Sequence, residues 1–186
     1  MELRTPRLRL DALHPADAAA LFAYRADPVV ARYQGWVPAS LAEAAQFIDD
    51  LPAEPLPGRW FQWAIRVPED GRLIGDLGVC LDGRRQATFG ISLAPAQQGR
   101  GLAQEALQEV LGWLFGAMDV HRVHASVDPR NLASMGLLAR LGLRQEALHR
   151  QSYWFCGEWA DDAVFAMLVS EWRARVANGP VAACTR

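Results

Sequence analysis

The chain has 186 residues, which fits one domain that buries about 70% of its unfolded surface without a metal or disulfide staple. Hydrophobic residues make up 51% and charged residues 22%, and 19 basic against 21 acidic side chains give a net charge of −2. That balance is globular and excludes the electrostatic footprint of a nucleic-acid backbone binder. All 19 basic residues are arginine, so a Schiff-base lysine and a Walker-type phosphate lysine are excluded. No G-x-S-x-G elbow is present, which argues against an ordinary serine hydrolase. Cys80, Cys156 and Cys184 are odd in number and far apart, as in a reducing compartment. His121 and His124 would point to opposite faces of a strand, so no metal site is expected. The charged start MELRTPRLRL and the lack of an apolar run near 20 residues point to a cytoplasmic protein with no membrane contact.

Taken in order, Leu8, Leu10 and Ala12 alternate with Arg7, Arg9 and Asp11, which predicts a strand with one polar face. His14-Pro15-Ala16-Asp17 opens a helix carrying Ala18, Leu21 and Phe22. Ser40 caps a second helix, with Glu43 completing a capping box and Leu41, Ala44, Ala45 and Ile48 on its apolar face. Residues 52–57 form a proline-rich loop. Strands over 61–67 and 73–81 are joined by Pro68-Glu69-Asp70-Gly71, and Asp82-Gly83 turns into a strand over 86–93. From Leu102 the apolar positions 102, 103, 106, 107, 110, 111, 114 and 115 keep a 3.6-residue period, a long amphipathic helix. Val123, Ala125 and Val127 mark a short strand, Asn131 starts a helix that Gly142 ends, and residues 143–169 read as two strands around Gly157. Residues 177–186 are expected to be a frayed tail. The fold class is mixed α/β, a mostly antiparallel sheet with helices packed on it.

The chemistry concentrates in Ile91-Ser92-Leu93-Ala94-Pro95-Ala96-Gln97-Gln98-Gly99-Arg100-Gly101-Leu102-Ala103, where a strand enters a glycine loop that opens the long helix. Glycines admit a close ligand, and the free N–H groups of a helix start attract an anion such as a phosphate. An ordinary strand-to-helix turn is the alternative. A dinucleotide loop is excluded because its third small position is Gln104 and the preceding hairpins do not form a βαβ unit.

Gln98-Gly99-Arg100-Gly101-Leu102-Ala103 resembles the Q/R-x-x-G-x-G/A acyl-CoA motif of the GNAT N-acetyltransferase superfamily. Val127-Asp128-Pro129-Arg130-Asn131-Leu132-Ala133-Ser134, ending in Leu141-Gly142-Leu143, is similar to the next block of that superfamily. Thr5-Pro6-Arg7-Leu8-Arg9-Leu10 and Gly157-Glu158-Trp159 with Asp161-Asp162 resemble the RimJ/RimL branch, which acetylates ribosomal-protein amino termini. The resemblance spans about residues 3–173. It implies one acetyl-CoA-dependent domain over residues 1–176, of α+β type, with a centrally splayed, mostly antiparallel mixed sheet of about six to seven strands and helices on both faces.

The resemblance also implies residue roles. Ile91 and Leu93 would meet the pantetheine arm of acetyl-CoA through main-chain atoms. Backbone N–H groups from Gln98, Gly99, Arg100, Gly101, Leu102 and Ala103 would hold the pyrophosphate. Asn131 would reach the cofactor arm, with a plain helix N-cap as the alternative, and Ser134 would give a proton to the leaving thiolate unless it is only a first-turn helix serine. The chain departs from the family in two places: Leu138 stands where many members carry a tyrosine, and Thr88 where several carry a glutamate.

Acetyl transfer needs a neutral amine, a donor for the carbonyl oxygen and a proton for the thiolate. A peptide α-amine, with a pKa of about 7.7–8.0, needs only a weak base, unlike a lysine amine at about 10.4. Asp76, mid-strand in an apolar run, is the best carboxylate candidate; the alternative is a solvent-facing strand position. Tyr33, Trp36, Trp60, Trp63, Tyr153 and Trp154 are candidates for a groove wall, with core packing as the alternative. The expected acceptor is a protein or peptide N-terminus. A small polyamine or aminoglycoside held by Asp49, Asp50, Glu54, Glu69, Asp70, Asp161 and Asp162 is the second option, and a non-catalytic acyl-CoA-binding module the third. The oligomeric state stays open, a homodimer included.

Overall fold

The computed structural model describes residues 1–155 and 157–178. Residues 179–186, most of the expected tail, lie outside the described residues, as do Cys156 and Cys184. The strands are β1 (Leu3–Arg4), β2 (Arg9–Ala12), β3 (Trp60–Arg66), β4 (Leu73–Leu81), β5 (Gln86–Leu93), β6 (Arg122–Val127), β7 (Arg144–Phe155) and β8 (Glu158–Leu168). The helices are α1 (Ala18–Arg25), α2 (Pro28–Ala31), α3 (Leu41–Asp49), α4 (Leu102–Gly116), α5 (Leu132–Leu141) and α6 (Val169–Ala177).

One sheet runs β1-β2-β3-β4-β5-β6-β8-β7, with every neighbouring pair antiparallel except β5 and β6. The fold class is as expected, but there are eight strands rather than six or seven, because the two-residue β1 adds an edge too short to show a period. Two helices also went unread. The four-residue α2 carries a legible start, since Asp27 accepts the Val29 N–H at 2.8 Å and Pro28 occupies the first turn. The largely exposed α6 carries only a thin apolar stripe, Val169, Trp172 and Val176, of which Val169 and Trp172 pack on the core.

Alternation along β3 divides the core. Phe61, Trp63 and Ile65 face α4 and α5, whereas Ala64 faces α1 and α3 across the sheet. The predicted capping box at α3 is half altered. Ser40 Oγ accepts the Glu43 N–H at 3.2 Å, but Glu43 takes the Ala39 N–H at 2.8 Å rather than that of Ser40.

Candidate active site

β5 and β6 are paired only at Gln86 with Arg122, Ala87 with Val123 and Thr88 with His124. Beyond Thr88 the strands part. β5 stays bonded to β4 as far as Leu93 opposite Gly75, and β6 to β8 as far as Val127 opposite Ala163. The β5 edge from Phe89 to Leu93 therefore has no strand partner on the β6 side. A cleft of about 420 Å³ opens there. Its floor is Thr88 to Ile91 and Ala125 to Asp128, and one side is Asn131, Ser134, Leu137 and Leu138 of the α5 region. Tyr33, Gln34 and Gly35 face it from the α2–α3 connection, and Tyr153, Phe155, Asp161 and Asp162 from the β7–β8 hairpin.

The glycine loop follows β5 directly. Gly101 sits at φ +77°, a left-handed conformation that side-chain-bearing residues rarely adopt, and so turns the chain into α4. Among the described residues the amides of Gly99 to Ala103 have no protein acceptor, which leaves a cluster of N–H groups at a helix start. Leu102 itself is buried in the core, so its main chain alone is available. The Gln98 side chain donates to the Leu93 carbonyl oxygen at 2.9 Å and ties the loop to the strand end.

The N-terminal segment clamps this helix start. The Arg7 guanidinium donates to the Arg100 carbonyl at 3.1 Å and to Glu105 at 2.6 Å, and the Thr5 hydroxyl donates to Glu105 at 2.5 Å. Burial raises the Glu105 pKa, but the Thr5 and Arg7 donors outweigh it and hold the carboxyl below its usual value. By sequence Arg7 is a strand residue within a family-like motif. Its link to Glu105, 98 positions on, has no local signal.

Ile91, Asn131 and Ser134 come together in the cleft, whereas residues 98–103 form the loop at the strand end. Asn131 caps α5, its Oδ1 accepting the Ser134 N–H at 3.1 Å. Ser134 is half-buried, and among the described residues its hydroxyl has no protein partner. Leu138 contributes an apolar surface. These groups fit an acyl-CoA: an unpaired strand edge for the amides of an extended arm, a ring of free N–H groups at the strand end for a pyrophosphate, and the Ser134 hydroxyl in the cleft.

Asp76 behaves as neither sequence reading had it. It is 0% exposed, does not line the cleft, and accepts from Tyr24 Oη at 2.6 Å, Arg25 Nε at 3.0 Å, Arg25 Nη2 and Gln62 Nε2. With four donors it is a buried ionic anchor. Burial and the adjacent carboxylate push the Tyr24 phenol well above its ordinary value. Burial lowers the Arg25 pKa, but Asp76 more than compensates and the net shift is upward.

Of the six aromatic wall candidates, Tyr33, Trp60 and Tyr153 line the cleft. Trp63 is fully buried, edge-on to Phe61 and Trp113, while Trp36 stacks on Phe47 and the exposed Trp154 packs on Trp159. Only Asp161 and Asp162 of the seven proposed acidic residues reach the cleft, joined by Asp128. Asp162 accepts from Ser126 Oγ at 3.0 Å and Asp161 from the Gln151 N–H at 2.8 Å. Asp128 is held below its usual value chiefly by hydrogen bonds from Arg130, which also pairs with Glu158 at 2.6 Å.

A main-chain receptor for a long, phosphate-bearing carrier, opening beside a cleft with a free hydroxyl, is the layout of an acyl-group transferase. Residues 7–144 match the family model described as Acetyltransferase (GNAT) domain. The chain is 30% identical over 176 residues to "Uncharacterized N-acetyltransferase p20" of Bacillus licheniformis, covering 91% of this chain and 97% of that one. It is 29% identical over 118 residues to the "[Ribosomal protein uS5]-alanine N-acetyltransferase" of Escherichia coli (strain K12), covering 62% of this chain and 61% of the relative. Among solved structures, Mycobacterium smegmatis RimJ in complex with CoA-disulfide superposes with a TM-score of 0.80 at 26% identity over 97% of this chain and 94% of that one. A Bacillus anthracis GNAT-family acetyltransferase reaches 0.83 at 22% identity, over 91% and 99%, a likeness of fold. The chain belongs to the GNAT acetyltransferase family. It is an acetyl-CoA-dependent acetyltransferase, which sets aside the non-catalytic module.

Proposed function

We propose that the acceptor is the N-terminal α-amine of a protein or peptide. The observation that carries this reading is the state of the cleft carboxylates. Asp128, Asp161 and Asp162 are each already engaged by a neighbouring donor, and Asp76 lies outside the cleft. No carboxylate stands ready as a strong base. An α-amine with a pKa of about 7.7–8.0 is partly neutral at pH 7 and needs none, whereas a lysine side chain does. The similarity to a ribosomal-protein alanine N-acetyltransferase supports the same reading.

Bound acetyl-CoA supplies an activated thioester. The β5 edge at Ile91 and Leu93 would orient its arm through main-chain groups, and the amides of residues 99–103 would hold its pyrophosphate beside the Glu105-paired Arg7, whereas the Gln98 N–H, expected to join them, is taken by the Pro95 carbonyl at 3.2 Å. Asn131 orders the first turn of α5 and lies along the same arm. The amine enters the cleft beside Tyr33 and Tyr153, where the rings exclude water and fix its line of attack. As the nitrogen bonds to the acetyl carbon and the C–S bond breaks, the departing thiolate would take its proton from Ser134, whose hydroxyl is restored by the proton the nitrogen releases.

The competing acceptor is a small polycation, favoured by Asp128, Asp161 and Asp162 sharing one cleft. A thiol-release assay on a panel of peptides, spermine and an aminoglycoside decides between them. Turnover led by peptides with defined first residues is expected. Spermine or the aminoglycoside at least about tenfold above every peptide overturns the proposal.

A further inference from the structure

The buried pair at Asp76 does more than fill the core. A paired charge in the interior is seldom more stabilising than apolar residues of equal volume, so stability alone does not account for it. Arg25 is tethered to Asp76 through Nε and Nη2, which leaves Nη1 and the flat face of the guanidinium. Nη1 donates to Gln34 Oε1 at 3.3 Å, and the guanidinium carbon lies 5.6 Å from the centre of the Trp36 ring. Trp36 is itself held from its other contacts, stacked on Phe47 at 4.4 Å and donating Nε1–H to Glu43 at 3.0 Å.

The same four-residue segment touches the opposite side of the cleft through its alternate members. Tyr33 Oη donates to the Arg130 carbonyl at 3.3 Å. A methyl group placed on Gly35 would lie 3.1 Å from Tyr153 Oη, so the Tyr153 phenol rests on bare backbone. Residues 34 and 36 are thus fixed from the core, and residues 33 and 35 meet the far wall.

We propose that Arg25 is a positioning residue for the acceptor. Anchored on Asp76, it fixes Gln34 and Trp36 so that Tyr33 and Gly35 form one wall of the amine's entry. The inference deepens the proposed function and rests on it in taking this wall as the acceptor side. Arg25 and Trp36 do not line the cleft, so their replacement acts on the acceptor only through the segment. Lysine keeps a cation beside Asp76 but lacks the planar fork needed to hold Asp76 and Gln34 together.

The test compares Arg25→Lys, Trp36→Leu and Trp36→Phe in the full chain by hydrogen exchange and steady-state kinetics, with acetyl-CoA and an alanine-initiated peptide or spermine, whichever the wild type acetylates faster. Exchange over residues 31–40 should quicken in Arg25→Lys and Trp36→Leu while β4 and β5 stay protected. The acceptor KM should rise about tenfold and the acetyl-CoA KM stay within about twofold. Trp36→Phe, which keeps a ring under the guanidinium, should restore both readouts. If Arg25→Lys does not fold, Trp36→Leu carries the test with the buried pair intact. An unchanged exchange pattern overturns the positioning role and leaves the acceptor reading standing. A loosened segment that raises the acetyl-CoA KM alone overturns both, because the wall then belongs to the cosubstrate. A loosened segment that changes neither KM overturns the proposal.

Discussion

The Tyr33 hydroxyl donates to the main-chain carbonyl of Arg130 across 97 positions of sequence, at 3.3 Å. The bond joins the α2–α3 connection to the turn before α5, on the far side of the gap between β5 and β6. It ties the wall that Tyr33 forms to the turn that leads into α5. The walls are consequently set by three elements that no local pattern relates: the α2–α3 connection, the α5 start and the β7–β8 hairpin. Four expectations follow from this arrangement and from the loop beside it.

Gly101→Val tests the loop. A β-branched residue is strained at φ +77°, and its side chain would enter the space where Arg7 lies 3.6 Å from the Cβ position. At 100 times its Kd, acetyl-CoA should stabilise the wild type by about 2.7 kcal/mol. That corresponds to a melting shift of roughly 5–11 °C for a chain of this size. The shift should vanish in Gly101→Val while the variant still melts cooperatively, as thermal denaturation with and without acetyl-CoA will read.

Ser134→Ala tests the proton donor. The amide of Ser134 keeps its cap from Asn131, so the helix start survives the change. Loss of a positioned donor should lower kcat about 10²-fold with little effect on acetyl-CoA affinity. Wild-type kcat, measured where chemistry limits the rate, would reduce Ser134 to a helix residue.

Asp76→Ala separates anchor from base. Removing one partner strands Arg25 and should cost about 3–5 kcal/mol, seen as a melting drop of roughly 6–20 °C. The protein that remains folded should keep the acid limb of its pH–rate profile in place. A displaced limb would restore Asp76 as the proton acceptor.

His124, at the last paired position between β5 and β6, predicts a pH effect on stability. Burial, aided by Arg122, holds its imidazole below the ordinary 6.5 against the opposite pull of Asp82 and Glu146. Above pH 6.5 both states are neutral at this residue. As pH falls below it, the unfolded chain takes up the proton first, so stability drops until the folded imidazole is also charged. His124→Gln should flatten the fall in melting temperature between pH 7.5 and 5.5. An unchanged slope would assign the dependence to other groups.

Local chemistry made much of this legible. The 3.6-residue period fixed α4, and glycines 99 and 101 located the helix start because the backbone there must turn with positive φ. Asn131 announced α5 because a cap is read from adjacent residues. Asp76 was misread for the opposite reason. Tyr24 and Arg25, which satisfy it, lie about fifty positions away, and its own neighbours are only Gly75 and Leu77. The expected groove aromatics divided in the same way. Trp63 and Trp60 sit on one strand and differ in fate by which side of β3 each occupies and how close it is to the strand end.

Finally, the arginine-only cation set bears on the reaction itself. The forks that brace Asp76, Asp17, Glu105 and Asp128 are guanidiniums. Guanidiniums remain protonated at working pH and have no lone pair with which to attack a thioester. Within these 186 residues no side chain is a primary amine. The scaffold around a reactive acetyl donor therefore offers no side-chain amine for it to acetylate. Acetyl-lysine found in a reaction mixture belongs to the acceptor, and a lysine-directed reagent marks the substrate while leaving the enzyme's side chains untouched.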